Sequence, residues 1–244
     1  MSDRAARATS AKVAEVRPIL LEARGVDKDF YDASRRIQVL RGLDLEVRRG
    51  DRIAVVGQSG VGKSTMLHVL GGLEAPTAGT VLFEGQDIGS LEAARIAEFR
   101  NHKLGFVFQF HYLLADFTAL ENVMMPALIA RLADSEARTR AQEVLKMVGL
   151  ADKVNRRPAE LSGGEQQRVA VARAVTLHPS LVLADEPTGN LDPDTADEVH
   201  HLFEQLNTKL GITLVIATHN ERLARRMSRV LRLKEGRLFD EPIV

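Results

Sequence analysis

Arg52-Ile-Ala-Val-Val-Gly-Gln-Ser-Gly-Val-Gly-Lys-Ser-Thr65 is the stretch whose reading decides the fold. Its first five residues are a short apolar run of the kind that forms a strand buried in a parallel sheet. Gly57 to Ser64 then follow the pattern G-x-x-x-x-G-K-[ST], and a helical pattern continues through Leu70. A glycine-rich turn between strand and helix is an anion cradle. The glycines let backbone N–H groups point inward, and the helix N-terminus adds its partial positive charge. Gly57, Ser59, Gly60, Gly62, Lys63, Ser64 and Thr65 are therefore expected around the phosphates of a nucleotide. Lys63 is expected to bridge the β- and γ-phosphates, and the Ser64 hydroxyl to ligate Mg²⁺. The plainer reading of the same residues is a tight turn with a solvent-exposed lysine.

Downstream, Leu181-Val-Leu-Ala-Asp-Glu186 is an apolar strand that ends in two carboxylates, with Pro187 stopping the ladder. An apolar strand has no packing reason to finish in two acids, although solvent exposure at its end would tolerate them. In a nucleotide enzyme their roles separate: Asp185 holds Mg²⁺, mostly through water, and Glu186 polarises the attacking water. The next such strand runs into Ala217-Thr-His219, and Gln109 directly follows the run Leu104 to Phe108. Both lie just past the carboxyl end of a parallel strand, where α/β proteins bind ligands. His219 is expected to touch the γ-phosphate, and Gln109 to reach the metal or the water.

A second glycine motif, Leu161-Ser-Gly-Gly-Glu-Gln-Gln-Arg168, precedes an apolar helix from Val169 to Val175. Ser162 and Glu165 have the spacing of a capping box, which by itself accounts for two of the residues. It does not account for two glycines in a first helical turn, each costing about 1 kcal/mol relative to alanine. Bare backbone at a helix start suits a phosphate. Two such helix starts with one metal-and-base set are most simply explained by two copies of the chain meeting head to tail around a shared nucleotide.

Around these motifs, Ile19 to Ala23 and Gln38 to Val47 read as early strands, and Thr80 to Phe83 as another. A mostly helical stretch runs from about Leu91 to Gly149. One helix in it has Ser135 as its expected cap, Ala137, Ala141, Val144, Leu145 and Val148 as its apolar face, and Gly149 at its end. A later amphipathic helix turns Ala196, Val199, Leu202, Phe203 and Leu206 inward. Strands alternating with helices mean an α/β core with a largely parallel sheet. The chain has 244 residues, 45 % of them hydrophobic, with 33 Lys+Arg against 33 Asp+Glu and no cysteine. This composition excludes a disordered chain, a disulfide scaffold and a generally basic nucleic-acid binder, so no nucleic-acid partner is expected. Residues 1–18 lack the apolar segment of a secretory signal and read as a poorly ordered arm. No run is apolar for long enough to suggest a membrane-spanning helix.

In order, the glycine loop, Gln109, LSGGEQQR, LVLADE, GNLD ending in Asp192, and His219 resemble the ATP-binding cassette (ABC) ATPases along nearly the whole of 19–244. The resemblance implies a P-loop NTPase core with a mainly parallel sheet, an antiparallel β subdomain, and a helical subdomain inserted at about 91–165. It implies ATP and Mg²⁺, hydrolysis to ADP and phosphate, and a head-to-tail dimer with a second copy. There Ser162, Gly163, Gly164 and Asp192 of one copy face the nucleotide held by the other. It also implies an aromatic stacked on adenine, which the spacing places at Phe30 or Tyr31.

Gly105 to Val123, followed by Met124-Met-Pro126, is similar to the lipoprotein-releasing branch of that family, with macrolide-exporter and cell-division ATPases as near relatives. This similarity implies an energy-coupling subunit on the cytoplasmic face of a bacterial inner membrane. Dimer closure on ATP would drive release of lipoproteins, with membrane permease subunits docking near residues 109–135. The alternative cargo is that of a macrolide or peptide exporter, or of a cell-division complex. ABC ATPases acting on DNA or ribosomes usually carry two cassettes or a long coiled coil, and neither is present here. The zero net charge conceals a segregation: 174–208 holds seven acids and no Lys or Arg, whereas 222–237 holds seven Lys/Arg and one acid.

Overall fold

The computed structural model describes residues 17–32 and 35–242. The arm expected over 1–18 therefore lies outside the described residues for 1–16. Its last two residues are held in place, with Arg17 paired to Asp51 at 2.6 Å and the Pro18 carbonyl accepting from Arg49 N.

The chain opens with β1 (Ile19–Asp32) and β2 (Arg35–Arg48), a long antiparallel pair. Next come β3 (Arg52–Val56), α1 (Lys63–Leu70), β4 (Ala78–Phe83), β5 (Gln86–Asp87), α2 (Ala93–Lys103) and β6 (Leu104–Val107). Three helices follow, α3 (Ala119–Ile129), α4 (Asp134–Met147) and α5 (Gly163–Val175). The remainder is β7 (Leu181–Asp185), α6 (Pro193–Leu210), β8 (Thr213–Ala217), α7 (Glu221–Arg225), β9 (Arg229–Lys234) and β10 (Arg237–Glu241). Two sheets result. One is four-stranded and antiparallel, in the order β2-β1-β4-β5; the other is six-stranded, in the order β10-β9-β3-β8-β7-β6. Within the second sheet only β10 runs antiparallel to its neighbour.

Strand alternation divides the central sheet between two cores. Ile53, Val55, Leu181, Leu183, Val215 and Ala217 face α1 and the four-stranded sheet. Ala54, Val182, Ala184, Leu214 and Ile216 face the other way, onto α5, α6 and the helices packed on them. The sheet is thus buried on both faces, which explains its near-continuous apolar strands. α3, α4 and α5 pack against one another, and β6 joins this cluster to the sheet edge. Fully buried Asn122 of α3 braces the segment beyond β6. Its side chain accepts from Leu114 N at 2.8 Å and donates to the carbonyls of Leu114 and Phe117, each at 3.1 Å.

The apolar faces expected for the helices now called α4 and α6 are buried throughout. The expected cap of α4 is different. The helix starts at Asp134 with Ala133 in the capping position and no side-chain cap, so Ser135 lies inside the first turn. Acidic Asp134 and Glu136 in that turn interact favourably with the helix dipole. Gly149 follows the C-cap with φ of 76°, as the end signal requires.

β6 passes so close beneath α5 that Gly105 has no room for a side chain. A Cβ there would lie 2.4 Å from the Ala174 carbonyl oxygen, which is backbone and cannot rotate away. Gly105→Ala is expected to destabilise the fold by about 1–3 kcal/mol through overpacking, read as a lowered denaturant midpoint at unchanged slope.

Candidate active site

Adjacent parallel strands β3, β8, β7 and β6 end along one edge of the sheet, and each hands its next residues to the same crevice. β3 runs into the glycine loop, β8 into His219, β7 into Asp185 and Glu186, and β6 into Gln109. Ser59, Gly60, Gly62, Lys63, Ser64 and Thr65 share a cavity of about 290 Å³ with Gln109, Asp185 and Glu186. Gly57 and His219 line a second cavity, of about 450 Å³.

Glycine is required at two loop positions. A Cβ on Gly57 would lie 2.7 Å from the Leu233 carbonyl oxygen. On Gly62, where φ is 109°, it would lie 2.6 Å from Val39 Cγ1. Gly62 caps α1 without a side-chain acceptor, so the first-turn N–H groups, among them those of Lys63 and Ser64, have no partner within the helix. Buried Lys63 folds over the loop rather than extending into solvent: its Nζ donates to Gly57 O at 2.9 Å and Gln58 O at 3.3 Å. The same ammonium stands 3.5 Å from Glu186 Oε1.

Glu186 gathers the ends of three strands. Its Oε2 accepts from His219 N at 3.1 Å and lies 2.9 Å from His219 Nδ1. Its own N–H donates to Ala217 O at 2.8 Å. Its φ of 45° is left-handed, which is sparsely populated by residues other than glycine and costs about 1–3 kcal/mol. Gln109 donates to Asn190 Oδ1 at 3.0 Å, and Asn190 Nδ2 answers to Gln109 O at 3.4 Å. Asn190 was not among the residues expected at the site. An asparagine beside glycine reads as a turn former, and nothing local reveals a partner 81 positions away.

The remaining expected residues lie away from the cavity. Ser162 caps α5 and forms a complete capping box with Glu165. The Ser162 N–H holds the Glu165 carboxyl below the usual carboxylate range. Asp192 caps α6 by accepting from Thr195 N at 3.1 Å, and its hydrogen bonds to Thr195 likewise lower its pKa. Phe30 and Tyr31, both exposed, sit near the end of β1. Phe30 pairs with Ile37 and Tyr31 with Arg36. The β1–β2 register shifts between Lys28 and Asp29, opposite Val39, and the Lys28 ammonium stands 5.0 Å over the Phe30 ring.

The profile of the ABC transporter family matches residues 40–189. This chain belongs to the ABC transporter family. As a cassette of that family it is 56 % identical over 219 residues to the lipoprotein-releasing system ATP-binding protein LolD of Geobacter metallireducens, covering 90 % of this chain and 97 % of that protein. It is 55 % identical over 221 residues to LolD of Myxococcus xanthus, covering 91 % and 99 %. Among solved structures it resembles the dimeric post-hydrolysis state of the ATP-binding cassette MJ0796 bound to ADP and Pi. The TM-score is 0.86 at 36 % identity, covering 92 % of this chain and 99 % of that one.

The paired glycines of the second motif differ in what they do for the cassette. Gly164 is buried and packs against α6, where a Cβ would meet Thr195 Cγ2 at 2.2 Å. Gly163 is exposed, and a Cβ there would meet Leu191 at an ordinary 3.7 Å. Packing within the chain therefore demands the second glycine and not the first. Gly163→Ala should leave the thermal midpoint close to wild type. Gly164→Ala should cost about 1–3 kcal/mol, most of it recovered in Gly164→Ala/Thr195→Ser, which deletes the opposing methyl. Equal effects of the two alanines would contradict this division.

Proposed function

We propose that this cassette is the ATP-hydrolysing subunit of a lipoprotein-releasing complex, seated on the cytoplasmic face of a bacterial inner membrane. The observation that carries the reading is the Glu186 carboxylate, held between Lys63 and His219 at the rim of the cavity lined by the glycine loop. The relatives named LolD supply the cargo.

Phosphates fit the loop because the free first-turn N–H groups of α1 and the Lys63 ammonium converge there. The donors flanking it are the Ser64 hydroxyl, the Asp185 carboxylate and the Gln109 carboxamide, all oxygen ligands. Among the described residues no group of three or more His, Cys, Asp or Glu side chains could hold a metal by itself. That matches Mg²⁺, which takes most of its ligands from water and phosphate. Bound there, Mg²⁺ would neutralise charge developing on the phosphates. Glu186 accepts a proton as water attacks the γ-phosphorus and the bond to the departing ADP oxygen breaks. His219, bonded to the same carboxylate, fixes its orientation and contacts the γ-phosphate. An exposed aromatic near the end of β1, Phe30 or Tyr31, stacks on the adenine.

A second copy, facing head to tail, brings Ser162, Gly163, Gly164 and Asp192 to the nucleotide. Exposed backbone at Gly163, unexplained by packing within the chain, supports this arrangement, as does the dimeric form of MJ0796. Permease subunits dock near residues 109–135, where Phe110, Tyr112, Leu114, Leu128 and Ile129 leave apolar surface exposed. Among the described residues no helix is long and apolar enough to cross a membrane, so attachment would come through those subunits.

Glu186→Gln is expected to slow ATP turnover by about 10²-fold and to leave an ATP-bound dimer visible by light scattering; wild-type turnover overturns the assignment of the base. Affinity purification from detergent-solubilised membranes tests the cargo. Recovery of lipoprotein-releasing permeases sustains the proposal, and recovery of an exporter or cell-division permease replaces it.

A further inference from the structure

α5 carries the glycine motif at its N-terminus and, about 16 Å further along its axis, grips the segment that follows Gln109. The Arg173 guanidinium donates to Tyr112 O at 2.7 Å and to His111 O at 2.8 Å. Both bonds go to backbone carbonyls of consecutive residues. A planar fork serves such a pair, whereas a lysine ammonium does so poorly. Burial lowers the pKa of this guanidinium, so the two carbonyls stand in for water it has lost. Tyr112 has φ of 46°, a conformation that persists in a non-glycine residue only where its surroundings impose it. Arg173 imposes it. One strand-end earlier, buried Gln167 of the same helix reaches Phe108 O at 3.5 Å. Gln109 is thus flanked on both sides by residues tied to α5, while Asn190 holds its side chain.

We propose that Arg173 is a positioning residue for Gln109: by holding the backbone of His111 and Tyr112 it fixes the segment that presents the Gln109 carboxamide to the cleft. This inference rests on the reading of Gln109 as an active-site group given above.

The test uses the full-length chain with Arg173→Met, Arg173→Lys, Gln109→Ala and the double variant Arg173→Met/Gln109→Ala. In Arg173→Met, ATP affinity should match wild type while kcat falls by about 10- to 100-fold. Amides of residues 108–113 should exchange with solvent about tenfold faster or more. The double variant should turn over no more slowly than Gln109→Ala alone, because a residue acting through Gln109 has nothing left to act on. Arg173→Lys should recover part of the loss, and it carries the same readouts if the methionine variant does not fold. Unchanged exchange at 108–113, or losses that multiply in the double variant, overturn the proposal. Wild-type turnover in Gln109→Ala overturns the role given to Gln109, whereas the exchange rates still decide whether Arg173 holds the segment.

Discussion

The contact on which the site depends is the Glu186 carboxylate between the Lys63 ammonium and the His219 imidazole. It ties together the ends of β3, β7 and β8, so the phosphate loop, the candidate base and His219 share one anchor. The cost is a left-handed backbone at Glu186. The hydrogen bonds around it, including Gly189 N to Glu186 O at 3.0 Å, hold the strained residue in place. A carboxylate with both oxygens engaged is preorganised: little motion is left to freeze in the role of base proposed for it.

That anchor is only as stiff as the sheet beneath it. Alternating residues of β3, β7 and β8 feed two separate cores, so neither face of the strands can shift without opening packed side chains. The helices α3 and α4 lie further from this frame and are connected to it chiefly through α5 and β6. Gly105 allows the close approach of β6 and α5, and Gly164 allows that of α5 and α6. Two missing side chains therefore set where α5 sits, and with it both the second glycine motif and the grip on the residues after Gln109.

Charge follows the same economy. The acidic and basic segments seen along the sequence are largely paired within the chain: Arg226 meets Asp197 at 3.5 Å and Glu204 at 3.8 Å, Arg168 meets Glu198, and Arg229 and Arg232 meet Asp240 and Glu241. Exposed pairs of this kind contribute about 0–1 kcal/mol each. Among the described residues that line the cavity with the glycine loop, Lys63 is the one cation, which fits a neutral protein that binds a polyanion.

Much of this was legible in the residue order. The glycine loop between an apolar strand and a helix, the strand ending in Asp185 and Glu186, and the buried faces of α4 and α6 all follow from patterns within a few residues, where backbone geometry and periodicity act directly. The capping box at Ser162 was equally local. Other features were not legible, because they depend on which elements become neighbours. Gly164 faces Thr195, Asn190 meets Gln109, and Arg173 reaches His111 and Tyr112. Ser135 is not the cap, because the helix already starts at Asp134. The sequence by itself determined the cradle, the acids and the alternation of strand and helix, since each is written in adjacent residues. The tertiary structure decided which of those residues touch, because strand order and helix packing bring together positions that share no local pattern.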